Sequence, residues 1–444
     1  MKQSAWRYLW TSKDIRRKLL ISLGLLAIYR LASNIPVPGI DRQLVAQLTQ
    51  TGGAAGGLIN LLDMLSGGAV SNFSVLAMGV YPYITAQIIL QLLIPIIPAL
   101  ERRMQEDPRE GRKWMEKWTM ILTIPMAALS AVGQINIFNA ILGQSVAVRF
   151  GFSGDVLIPT LATLLSMMAG TMFGVWLGEL ISEFGIRGQG LSLIIFAGIV
   201  SSLPRNLFSL VTDPVYWWLI FIVVALLLVT IFAIVFVQEG RRHVPVMFPG
   251  RRVGSRMSMP VKSTVPLMVN MAGMIPIIFA QSIMTFPTIL ASFFVNSETD
   301  WLRNFAIGVQ NVLGGEGVVY PILFFIMVVL FTFFYTDILF AQQNYGENLK
   351  KQGAQIPGIA RGGPTQRYLT KVQRRITLPG ALFLGVVAAL PFFLGLFLPP
   401  GLQQTQIFLV SSSGLLIVVG VVRDTFQIIE SDLKLHGYDD RLIS

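Results

Sequence analysis

From Ile376 to Val422 the chain carries no charged residue. Drawn as one helix rising 1.5 Å per residue, that stretch would run about 70 Å, more than twice a bilayer core of roughly 30 Å. The turn sequence Pro399-Pro400-Gly401 therefore divides it into two membrane spans joined as a hairpin. Eight more apolar stretches precede it, at about 19–36, 59–98, 118–138, 156–180, 190–211, 215–237, 266–294 and 318–341. In lipid the backbone has no water to bond, so each span is expected as a helix. The expected fold is all-α, a polytopic membrane protein of ten transmembrane helices. Ten divides into five and five, which permits two pseudo-symmetric halves, 19–211 and 212–427. An N-terminal segment, 1–18, and a C-terminal tail, 428–444, flank them.

Charge fixes the expected orientation. Of the 34 Lys and Arg, all but Arg30, Arg42, Arg149, Arg205 and Arg303 fall on one side. They occupy the N-terminal segment, alternate loops and the C-terminal end. By the positive-inside rule that side is the cytoplasm, with both termini inside. A net charge of +11 would suggest nucleic acid in a soluble protein, but here orientation accounts for much of it. The opening MKQSAWRYLW lacks an apolar core and a small-residue cleavage site, so no removable signal is expected. Trp6, Leu9 and Trp10 beside Lys13, Arg16, Arg17 and Lys18 read either as an interfacial helix on anionic lipid or as a plain basic anchor.

The residues expected for catalysis are missing from the pattern. There is no cysteine, and the two histidines, His243 and His436, lie in polar stretches. No phosphate-binding loop, nucleophile elbow or paired carboxylate appears, so neither a cofactor nor an enzymatic role is expected. Asp63, Glu179, Glu183, Glu239 and Asp337 fall at span ends, and Arg30 is the one deep charge. Such an interior suits a path that holds no single charged solute tightly. A ten-span solute transporter would need a midplane binding site, and an intramembrane enzyme would need catalytic groups inside spans.

Three features carry functional expectations. Ile59, Asn60, Leu61, Leu62, Asp63, Met64 and Leu65 make a short apolar half-span, which Ser66, Gly67 and Gly68 interrupt. A half-span must be covered or line a cavity, so it is either a mobile plug or a glycine kink with an outer cap helix. Val80 with Ile84, Ile195 with Ile199, and Ile278 with Ser282 stand one turn apart on helix faces. Aliphatic constrictions can gate by excluding water, although such pairs ordinarily pack or face lipid. Finally, loops 239–264 and 342–375 are long and basic. The first carries Arg241, Arg242, Arg251, Arg252 and Arg256; the second carries Lys350, Lys351, Arg361 and Arg367. They read as projections that dock something acidic, the alternative being solvated topogenic charge.

Long stretches in order resemble the SecY family of bacterial protein-conducting channels. They include YRLASNIPVPGID, LSGGAVSNFSVLAMGVYPYITAQIILQLL, GTMFGVWLGELISEFGIRGQGLSLIIFAGIV, VNMAGMIPIIFAQSI, NLKKQGAQIPGI and LPGALFLGVVAALP. The resemblance covers nearly the whole chain. It implies a passive channel that translocates signal-bearing preproteins and releases hydrophobic segments sideways into lipid. It implies that residues 59–72 are the plug and that Val80, Ile84, Ile195, Ile278 and Ile417 form the pore ring, with Ser282 one turn from Ile278. Spans two and seven would form a lateral gate, with Thr85, Gln87 and Asn270 as candidate polar contacts. The basic loops would dock the motor ATPase SecA and the ribosome, and small subunits of the SecE and SecG type would accompany the chain. Anionic lipids complete the expected partners, in a bacterial inner membrane. One departure stands out: the family pattern PGIRPG reads PGIARGG here, with Ala360 where the arginine is expected and Arg361 next to it.

Overall fold

A computed structural model describes residues 13–41, 73–106, 108–142, 150–151, 154–212, 217–248, 252–253, 256–257, 261–295, 297, 299–314, 319–397 and 412–435. In chain order the helices begin with α1 (Lys13–Ala32), α2 (Tyr81–Ile96), α3 (Pro98–Glu106), α4 (Pro108–Leu142), α5 (Leu157–Phe184), α6 (Gly190–Thr212) and α7 (Trp217–Glu239). Strands β1 (Arg241–Phe248), β2 (Arg252–Val253), β3 (Arg256–Met257) and β4 (Val261–Met268) follow. Then come α8 (Ile275–Ser292), α9 (Asp300–Leu313), α10 (Val319–Gln343), α11 (Tyr345–Lys351), α12 (Gly363–Phe397) and α13 (Ser412–Leu435). Every expected span is carried by a helix. Among the described residues, 109–139, 154–184, 275–292 and 319–351 are long and apolar enough to cross a membrane, and 81–96, 190–201 and 227–239 are shorter apolar helices.

Two boundaries differ from the sequence reading. The second span does not resume at Phe73: residues 73–80 form turns, and the helix starts at Tyr81 with Pro82 in its first turn. Proline suits that position because its missing N–H has no helical acceptor there. The seventh span starts at Ile275 and not at Pro266, because Val261–Met268 is a strand.

The chain forms two compact units. One comprises Met1–Val224, Ser282–Pro321 and Pro391–Ser444; the other comprises Ala225–Gln281 and Ile322–Leu390. In the first unit, α2, α4 and α5 share a core that includes Tyr81, Ala131, Ile135, Phe138 and Met167, joined by Ile289 of α8. Small residues bring backbones together, as is usual where lipid gives no hydrophobic drive. Gly170 of α5 lies against the Val75 carbonyl so closely that a Cβ would overlap it. Ser292 of α8 donates to the Gly133 carbonyl of α4 at 3.3 Å. At the other end, Lys18 of α1 bonds Asp432 of α13 at 2.8 Å and Asp14 at 3.0 Å. These hydrogen bonds raise the Lys18 pKa above its ordinary value.

A backbone stitch closes the described edges of the stretch 42–72. Pro36 and Ser74 form an antiparallel bridge. The Val37 amide donates to Phe73 at 3.2 Å, and the Val75 amide donates to Ile35 at 2.8 Å. The Phe73 ring meets Phe138 edge-on at 5.0 Å.

The second unit contains the one extended hairpin among the described residues. Strands β1 and β4 pair antiparallel from Arg241↔Met268 to Phe248↔Val261. Alternation explains it: Val244, Val246 and Leu267 point inward while neighbours face out. They pack with Phe340, Leu349, Ala354, Ile356 and Leu369 in a small core beneath both basic loops.

Candidate functional site

The sequence-predicted ring residues are all buried. Val80 is the residue before α2, Ile84 lies one turn into it, and Ile195 is on α6. Ser282 is on α8 and Ile417 on α13, both fully buried. These five belong to the first unit, while Ile278 belongs to the second, where it is also buried. The elements touch: α5 packs on α2 and α6, and α6 packs on α13. Gly174 of α5 faces Tyr29, Leu76 and Val80. The Ser282 hydroxyl and both amide atoms of Gln281 have no hydrogen-bond partner among the described residues.

Contact between α2 and α8 runs through a residue the sequence reading missed. The Tyr81 hydroxyl donates to the Ser282 carbonyl at 3.2 Å, and Tyr81 is buried. The residues expected there hydrogen-bond locally. Thr85 donates back to the Tyr81 carbonyl at 3.1 Å. Asn270 closes its own turn, accepting from the Gly273 amide at 3.0 Å and donating to its carbonyl at 3.1 Å. Gln87 is half-buried on α2. Tyrosine in the YPYIT stretch was the available signal, since a buried phenol requires an acceptor.

The half-span Ile59–Gly68 lies outside the described residues, as does Arg251. Arg252 and Arg256 sit on the ribbon β2–β3, where Arg252 pairs Met257 and Val253 pairs Arg256.

The remaining basic residues belong to the second unit. Arg241 and Arg242 are exposed on β1, and Arg241 pairs with Glu239 at 3.2 Å. Lys350 and Lys351 are exposed at the end of α11, and Lys350 approaches Glu347 at 3.9 Å. Beside them, Met247 of β1 and Gln355 exchange backbone hydrogen bonds, so the two basic loops are joined. Arg361 is exposed on a turn framed by Gly358 (φ 79°) and Gly362 (φ 84°). Side chains rarely adopt such φ values, so glycine is what lets the chain turn twice here. Thr365 donates to the Ala360 carbonyl at 2.8 Å and holds that turn to α12. Arg367 is exposed in the first turns of α12, above an open groove of about 460 Å³ that Lys371, Arg374 and Arg375 also line. Arg374 makes two bonds to Asp337, at 3.1 and 2.9 Å, which hold its pKa above the ordinary guanidinium value.

Apolar helices with lipid-sized exposed faces, a buried aliphatic set and an ordered basic platform define a multi-pass helical membrane protein. Its fold is that of solved structures of a protein-conducting channel. One such structure aligns with 99% of this chain and 100% of its own at a TM-score of 0.63 and 16% identity. Another, concerned with the plug domain of the SecY protein, aligns at a TM-score of 0.61 and 15% identity. The family model for SecY matches residues 74–426. Protein translocase subunit SecY of Streptomyces galbus is 34% identical over 98% of this chain and 99% of its own length. The subunits of that name from Streptomyces griseus and Chlamydia trachomatis are 37% and 35% identical, each over 98% of this chain. The chain belongs to the SecY family of protein translocase subunits.

Proposed function

We propose that this chain is the channel of a bacterial protein translocase, passing signal-bearing preproteins across the membrane and releasing hydrophobic segments into lipid. The observation that carries this is the end-to-end match to protein translocase subunits. The chain spans the inner membrane as two five-helix halves, 19–211 and 212–427, with both termini in the cytoplasm. Val80, Ile84, Ile195, Ile278 and Ile417 seal around the passing chain, with Ser282 beside them. Aliphatic side chains suit this role because they exclude ions without demanding a sequence. Residues 59–72 close the path from outside. Helices α2 and α8 part to form the lateral gate.

Energy comes from partners, and the chain itself is no enzyme. SecA and the ribosome dock on the platform of Arg241, Arg242, Lys350, Lys351, Arg361 and Arg367, which the ribbon carrying Arg252 and Arg256 extends. Exposed, hairpin-mounted basic groups support this, because ribosomal RNA is a polyanion. Subunits of SecE and SecG type complete the complex, and anionic lipids meet the basic cytoplasmic ends.

The test is reconstitution in liposomes with the small subunits, SecA, ATP and a signal-bearing preprotein. Protease-protected product that needs both ATP and the signal is expected. A correctly inserted complex that binds SecA yet protects nothing would overturn the proposal. Deleting 59–72 should raise ion leak, and Arg361→Glu should weaken SecA or ribosome binding without altering insertion.

A further inference from the structure

Helix α9 does not fit the role of either a span or a plain linker. It runs from Asp300 to Leu313, between the spans α8 and α10. The chain from Ser292 to Asp300 can stretch at most about 29 Å, and from Leu313 to Val319 at most about 22 Å. Both tethers are short, which limits how far the helix can stand from the bilayer surface where those spans end.

Its surface has three zones at 100° per residue. Ala306, 1% exposed, marks the side packed on protein. Next to it, Trp301, Phe305 and Val312 share a stripe by their i, i+4, i+11 spacing, and they are 68%, 65% and 40% exposed. On the side away from Ala306, Asn304 and Asn311 are exposed, with Ile307 exposed beside them. The charges at the start cancel locally: Arg303 bonds Asp300 at 2.6 Å. Exposed Phe293, Phe294 and Val319 continue the apolar surface onto the adjoining span ends.

We propose that α9 lies in the plane of the membrane interface, with Trp301, Phe305 and Val312 inserted among the lipid headgroups of the leaflet where α8 ends. Indole and phenyl rings favour this depth, where the medium is half apolar. The near-neutral helix commits to the lipid surface itself and not to an anionic lipid in particular. The leaflet, the non-cytoplasmic one, rests on the topology proposed above; the insertion does not.

The chain has no cysteine, so a single introduced one is a unique label site. Phe305→Cys, Val312→Cys, Asn304→Cys and Asn311→Cys would each be labelled with nitrobenzoxadiazole in the full complex, in phosphatidylcholine nanodiscs open on both faces. Spin-labelled lipid should quench the dye at 305 and 312 with a blue-shifted emission, and iodide should quench it at 304 and 311. Iodide quenching at all four positions would place the helix in water and overturn the proposal. Protection of 305 and 312 from both quenchers would assign the stripe to a protein partner, and would overturn it equally. None of these readouts depends on translocation activity.

Discussion

Met247 and Gln355 exchange both backbone hydrogen bonds, at 2.8 Å in each direction, although 108 positions separate them in the chain. Met247 already pairs with Lys262 across the β1–β4 hairpin. Gln355 thus occupies the hairpin's other edge, which would otherwise present unpaired groups. The two basic loops are tied together at this point, and both rest on the same small core.

Gln355→Pro removes the donor to the Met247 carbonyl. The loss of one such bond is worth about 1 kcal/mol, or roughly fivefold in local opening. Hydrogen exchange at the Met247 amide should quicken by that factor while the span amides stay unchanged. An unaltered rate would show that the shared core alone holds the loops together.

Tyr81→Phe keeps the packing of the ring and deletes its bond to the Ser282 carbonyl. With α2 and α8 as gate helices, this removes about 0.5–1.5 kcal/mol from the closed form. Signal segments of lower hydrophobicity should then enter lipid, as scored by membrane insertion of a graded set of segments. An insertion threshold equal to wild type would exclude Tyr81 as a latch.

Gly170→Ala places a methyl on the Val75 carbonyl, in backbone and not in a movable side chain. Helix α5 must retreat, at a cost of about 1–3 kcal/mol for overpacking. The melting temperature in detergent should fall by several degrees, with the Ser74 bridge loosened in parallel. Wild-type melting would mean the turn 73–80 yields freely.

Lys18→Ala removes the ammonium that bonds Asp432 and Asp14. The pair is partly exposed, so the penalty should stay under about 1 kcal/mol. Because folding raises the Lys18 pKa, the contribution is complete below its ordinary value of 10.5 and fades only as pH rises beyond it. The difference between wild type and variant should therefore be constant from pH 6 to pH 9 in urea unfolding. A difference that vanished within that window would assign the stabilisation to another group.

The spans were legible because lipid enforces a simple code: long uncharged stretches must be helices. Polar and extended features were harder to read. The strands β1 and β4 carry alternation in HVPVMF and KSTVPL, but the arginines around them dominate a reading by charge. Apolar content then carried the seventh span back to Pro266, although Pro266 pairs His243 in the hairpin. The turns after Phe73 are apolar like a span, but their backbone bonds Ile35 and Val37 and their side chains pack against α4 and α5, neither of which a reading by hydropathy shows. At the candidate gate, residue type pointed to Thr85 and Asn270, whose polar atoms serve their own turns. A hydrogen bond from Tyr81 to a carbonyl 201 positions away leaves no local signature.

The bridge of Pro36 to Ser74 fixes both ends of the chain between them at one point. If residues 59–72 close the channel, they do so on a tether anchored at both ends. Return of a displaced segment is then a first-order event, governed by a high effective concentration set by loop length and not by protein in the membrane. Closure would follow the departure of each substrate with one intrinsic time constant, equal in sparse and crowded membranes. Cutting the loop once would leave each fragment end held by a single attachment, turning a rapid reseal into a slow and incomplete one.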